Sequence, residues 1–112
     1  MSKDNIVYIR QILDFIDEIE NFTKGITEKE FIENNLYLYA VIRCYETIGE
    51  AVKRLDFEFR EKHPNISWKF IAGFRDVLIH NYEGVDAAEV WKTTQEKLPK
   101  LKFDLFQILE NE

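Results

Sequence analysis

LYLYAVIRCYETIGEAVKRLDFEF, residues 36–59, is the stretch on which the fold turns. Leu38, Ala40, Val41, Cys44, Tyr45, Ile48, Ala51, Val52 and Leu55 recur at three- and four-residue spacing. At about 100° per residue they cover roughly 200° of circumference, about twice the stripe that faces a single core. The pattern predicts one long helix that needs cover from more than one side. Gly49 within it costs about 1 kcal/mol relative to Ala, so a close helix contact is expected there.

Outward from this helix the periodicity remains helical. In residues 6–22, Ile6, Ile9, Ile12, Leu13, Ile16 and Ile19 form one stripe and Tyr8, Phe15 and Phe22 a second. Together they again span roughly 200°. Gly25 should end this helix, the run Thr27-Glu28-Lys29-Glu30 reads as a capping box, and Asn34-Asn35 marks a break. On the other side His63-Pro64-Asn65 interrupts the chain, and Ser67 should cap a helix over about 68–79. A loop at 80–85 follows. Asp86 with Glu89 opens a helix to about 95, and Pro99 suits the first turn of a last one carrying Leu101, Phe103, Leu105, Phe106, Ile108 and Leu109. The expectation is an all-α antiparallel bundle of four main helices plus short helical segments, one domain over 1–112. The two wide apolar faces further suggest a homodimer.

Composition narrows the function. One cysteine, Cys44, excludes an intrachain disulfide framework and points to the reducing cytoplasm. No window approaches the roughly 18 apolar residues of a membrane span, and the N-terminus reaches Asp4 before any apolar run, unlike a secretory signal. The net charge of −6 argues against non-specific coating of nucleic acid or anionic lipid. It is unevenly spread: residues 1–52 carry five basic and ten acidic side chains, 53–81 six and four, and 82–112 four and seven. The middle segment is the net-basic one, and it holds both histidines, His63 and His80.

There is no glycine-rich phosphate loop, paired-histidine metal helix, Cys-x-x-Cys or Gly-x-Ser-x-Gly. Asp14, Asp17 and Glu18 lie opposite the apolar arc of their helix and read as a solvated face rather than a metal site. His63, before Pro64, reads as a polar loop residue. Arg75 differs, because with Trp68 at zero it falls at about −20°, inside the arc of Ile71, Ala72, Leu78 and Ile79. Such a guanidinium either pairs with an acid (Glu46, Glu50 or Asp76), snorkels outward, or faces a cleft that receives an anion. His80 stands at the expected end of the same helix, where it could serve the helix dipole or carry protons. Together Arg75 and His80 suit metal-free cleavage of RNA. The histidine would assist attack by the 2′-hydroxyl and the arginine would stabilise charge on the phosphorus. One histidine cannot easily be base and acid at once, so two copies in one cleft would complete the chemistry.

The run Arg75-Asp76-Val77-Leu78-Ile79-His80-Asn81-Tyr82 resembles the Arg-x4-His-x-Tyr pattern of HEPN-domain ribonucleases, specifically HepT-type toxins of the HepT/MNT toxin–antitoxin family. The segments 48–55, 68–76 and 84–86 are similar to the flanks of that pattern. The resemblance implies a HEPN-type homodimer whose Arg75 and His80 cut RNA, with Asp76 in support and no cofactor or metal for cleavage. It also implies an MNT-type nucleotidyltransferase antitoxin that uses ATP to AMPylate Tyr82. Two readings compete with it: a non-catalytic helical subunit that binds RNA or nucleotide for a nucleotidyltransferase, and a structural dimerisation domain with Arg75 in an ion pair.

Overall fold

In the computed structural model, which describes residues 2–80 and 86–111, the apolar run at 36–59 becomes two helices rather than one. The side chains of Val77, Ile79 and His80 lie outside that description. In chain order the helices are α1 (Lys3–Thr23), α2 (Glu28–Glu33), α3 (Asn35–Arg54), α4 (Phe57–Lys62), α5 (Trp68–His80), α6 (Ala87–Glu96) and α7 (Leu98–Glu110). No strand occurs among the described residues, so the all-α expectation holds. None of these helices is long and apolar enough to cross a membrane.

The local signals act as their chemistry requires. Thr27 and Glu30 form the expected reciprocal box: Thr27 Oγ1 accepts from the Glu30 amide at 3.1 Å, and Glu30 Oε1 accepts from the Thr27 amide at 3.2 Å. Gly25 takes the left-handed φ of 77° that follows α1. Asn34 caps α3 by accepting from the Leu36 amide, and Asp86 caps α6 by accepting from the Ala88 amide, each at 3.0 Å. Pro99 sits in the first turn of α7.

The break between α3 and α4 has no proline or glycine to announce it. It is held from a distance by Asn5, buried near the start of α1. Asn5 Nδ2 donates to Asp56 Oδ2 at 3.1 Å, and the Asp56 amide donates to Asn5 Oδ1 at 3.2 Å. This two-way bridge replaces helical continuation through Asp56 and turns α4 so that Phe59 is buried against Trp68 and His63, at ring distances of 6.1 and 4.7 Å. His63 thus serves packing, and its carbonyl accepts from the Trp68 indole at 3.0 Å.

Most of the wide apolar arcs of α1 and α3 is covered within the chain. α3 lies between α1 and α5, while α7 packs on α1 and α6. Ile9, Ile12, Ile16 and Ile19 of α1 are buried together with Val41, Ile48 and Val52 of α3, and Tyr8 and Phe15 of the second α1 stripe pack against this core. Phe22, the third member of that stripe, stays 40% exposed, so the chain covers most but not all of the doubled face of α1. The acidic side of α1 is structural. Lys102 of α7 reaches Glu20 at 2.7 Å and Asp17 at 3.3 Å, and the Cys44 thiol donates to Glu18 at 3.7 Å. The described residues contain no cluster suited to a metal ion.

Two tests follow from this packing. Replacing Asn5 by Ala removes both hydrogen bonds to Asp56, so urea denaturation should show a loss of about 1–3 kcal/mol; unchanged stability would mean that the bridge does not hold the break. Burial, aided by the Glu18 carboxylate, raises the Cys44 thiol from 9.0 to about 12. The folded thiol therefore keeps its proton where the unfolded one releases it, so stability should fall as pH rises through that window. At about pH 8 Cys44 should react with a disulfide reagent only in denaturant; rapid labelling of the native protein would contradict its burial.

Candidate active site

The position of α5 is set at both ends and in the middle. At its start the Trp68 indole N–H lies 3.1 Å from the Arg60 carbonyl and 3.0 Å from that of His63, and Trp68 is buried. Midway, Phe74 meets Tyr45 of α3 edge to face at 5.1 Å. The Tyr45 hydroxyl lies 2.6 Å from Thr94 Oγ1, which itself donates to the Val90 carbonyl, so Tyr45 is the donor of the pair. Burial holds this phenol above its ordinary range. Leu78 is buried near the far end.

This placement brings α5 onto the backbone of α3 at Gly49. A Cβ at Gly49 would overlap Arg75 Cβ and lie 2.7 Å from Arg75 Cγ. The close contact expected from a glycine in mid-helix is therefore present, and its occupant is the stem of Arg75. From there the guanidinium reaches an edge of the seam where the arginine side chain is 26% exposed. Its NH1 donates to Asp76 Oδ1 at 3.0 Å, while its buried Nε has no hydrogen-bond partner among the described residues.

Of the three acids that could pair with Arg75, Asp76 is the one that does. Glu46 faces Arg43 at 3.7 Å and Glu50 faces Arg54 at 3.4 Å. Asp76 Oδ1 also accepts from Lys53 Nζ at 2.8 Å, one helical turn beyond Gly49 on α3. First the Lys53 and then the Arg75 hydrogen bond hold the Asp76 carboxyl below its usual 3.8. Lys53 thus joins the Arg75–Asp76 pair, a contact that the sequence reading did not include. The available signal was its i,i+4 spacing from Gly49, which puts both on one face of α3.

His80 is the last residue of α5, five positions beyond Arg75. Its side chain and Tyr82 lie outside the described residues, so Arg75, Asp76 and Lys53 are the part of the site whose geometry is defined. A cavity of about 420 Å³, lined in part by Phe70, Phe74, Thr93 and Lys97, opens toward α6 and α7. Phe70 and Phe74 are turned about 100–140° around α5 from Arg75, which leaves this cavity on the other flank of the helix. The seam itself can be tested with Gly49→Ala. The added methyl should lower stability by about 1–3 kcal/mol, although Ala is ordinarily the better helix former. A melting temperature equal to or above wild type would mean that the helices have room to spare.

Comparison with known proteins places this geometry in a family. Residues 12–107 match the HepT-like family, described as "Ribonuclease HepT-like". A Methanocaldococcus jannaschii protein named as a proposed RNase is 45% identical over 110 residues, covering 98% of this chain and 95% of that one. A Thermococcus cleftensis protein named "Probable ribonuclease HepT" is 41% identical over 102 residues, covering 91% and 93%. A proposed RNase of Caldanaerobacter subterraneus is 41% identical over 105 residues, covering 94% of each chain. No solved structure matches significantly. With the family match spanning most of its length and the relatives covering nearly all of it, the chain belongs to the HepT-like ribonuclease family.

Proposed function

We propose that this chain is a metal-independent endoribonuclease, the toxin of a toxin–antitoxin pair, acting in the cytoplasm through Arg75 and His80. The observation that carries the reading is Arg75 itself. Its side chain, 26% exposed, brings the guanidinium to the edge of the α3–α5 seam, where NH1 donates to Asp76. What bears on substrate is the exposed end of the side chain: Asp76 takes one NH1 donor of a planar fork that has others to offer a phosphate. In the reaction His80 takes the proton of a 2′-hydroxyl as its oxygen attacks the adjacent phosphorus. Arg75 stabilises the negative charge that builds on the phosphoryl oxygens. The 5′-oxygen leaves with a proton and a 2′,3′-cyclic phosphate remains. Asp76 supports Arg75 by fixing NH1.

Base and acid are both needed within one turnover, so we place the cleft between two copies of α5, each supplying one Arg75 and one His80. Its neutralisation follows the family resemblance. A nucleotidyltransferase antitoxin of the MNT type transfers AMP from ATP to the Tyr82 oxygen, releasing pyrophosphate. The added phosphate and base compete with RNA for the arginine. Cleavage itself uses no cofactor.

Purified protein, free of any partner, should cut RNA in the presence of EDTA, and His80→Ala should not, with at least about a hundredfold loss. Equal scission by the two preparations would overturn the assignment. RNA binding without scission, lost in Arg75→Ala, would instead identify a non-catalytic binding subunit. For the antitoxin step, intact-mass measurement after incubation with ATP and the nucleotidyltransferase should show AMP increments that vanish in Tyr82→Phe. Increments that persist in that variant would exclude Tyr82 as the acceptor.

A further inference from the structure

Among the described residues most ion pairs follow one rule, and two groups depart from it in opposite directions. Lys29 with Glu33, Arg43 with Glu46, Arg54 with Glu50 and Lys100 with Asp104 are each one cation to one carboxylate. Lys102 has two acids, Asp17 and Glu20. At the α3–α5 seam the balance reverses: Lys53 and Arg75 share the single carboxylate of Asp76, on the same oxygen, at 2.8 and 3.0 Å. In a chain of net charge −6 this trio retains one uncompensated positive charge.

We propose that Lys53 is a second phosphate-binding cation of the RNA site, gripping the substrate backbone together with Arg75 while Asp76 keeps the two positive charges side by side. The assignment rests on the ribonuclease reading and adds a residue to it. Lys53 Nζ has three donors, one of which is directed at Asp76, and its side chain is 43% exposed. Arg75 keeps a flat fork of donors beyond the one given to Asp76. Sharing an oxygen places the two cations within about 6 Å of each other, close enough for oxygens of one phosphodiester to meet both. Like charges at that distance repel, and Asp76 offsets the repulsion until a phosphate arrives. An ion pair this exposed contributes little to folding, so stability alone gives weak reason for Lys53 to be there.

The test separates contact with RNA from mere support of Asp76. A fluorescein-labelled single-stranded RNA oligomer of mixed sequence is titrated with the His80→Ala protein, which binds without cutting, across a series of KCl concentrations. Adding Lys53→Gln should weaken binding about tenfold. It should also flatten the plot of log affinity against log salt by about 0.7, the signature of one lost phosphate contact on a single strand. Lys53→Arg should restore both, and Asp76→Asn, which removes no cation, should leave the slope at least as steep. If Lys53→Gln lost helicity by circular dichroism, Lys53→Met would supply the same comparison. An unchanged salt slope in the folded Lys53 variant would overturn the assignment of Lys53 alone, provided that the parent binds RNA. Absence of RNA binding by the parent would remove the ribonuclease reading and the assignment with it.

Discussion

The approach of α5 to the bare backbone of α3 at Gly49 is the contact on which the rest of the structure depends. Any side chain at that position would collide with the stem of Arg75. With glycine there, the arginine can lie along the seam and present its guanidinium at the edge, where it and Lys53 donate to the same oxygen of Asp76. The elements around the seam serve this approach. Trp68 anchors the start of α5, Tyr45 and Phe74 fix its middle, and the Asn5–Asp56 bridge turns the chain so that α4 lies beneath Trp68.

The same contact sets stability against function. Arg75 carries a buried Nε without a partner among the described residues, and an unmet buried donor is destabilising by about 1–3 kcal/mol. A protein optimised only to fold would place an aliphatic side chain there. Arg60 carries the same unmet Nε, so the donors that suit Arg75 to an anion are those at the seam edge, beyond the one given to Asp76. The Lys53–Arg75–Asp76 trio is a local excess of cations in an otherwise acidic chain of net charge −6.

Much of this was legible in the sequence, for reasons that can be named. Helix boundaries at Thr27, Asn34, Asp86 and Pro99 follow from short-range capping chemistry, which depends on residues a few positions apart. The role of Gly49 followed from its cost within an apolar stripe. The break after α3 was not legible, because its cause, Asn5, lies 51 residues away and the local pattern continues through Leu55 and Phe59. The doubled faces of α1 and α3 suggested packing within the chain and against a second copy; within the chain α1 meets α3 and α7, and α3 meets α1 and α5, while Phe22 of α1 stays exposed. A wide arc reports how much cover a helix needs and is silent on who supplies it. Lys53 was missed because an exposed lysine on a helix is common, and only the folded juxtaposition with Asp76 distinguishes it.

The central claim is that Arg75 is kept for the substrate and not for the fold. Arg75→Met tests it most directly, since methionine retains an unbranched apolar stem against Gly49 while removing the guanidinium and its unmet Nε. The account predicts that this variant melts at or above the wild-type temperature and has lost RNA cleavage measured on the same preparation. A melting temperature several degrees lower, or cleavage at the wild-type rate, would contradict it.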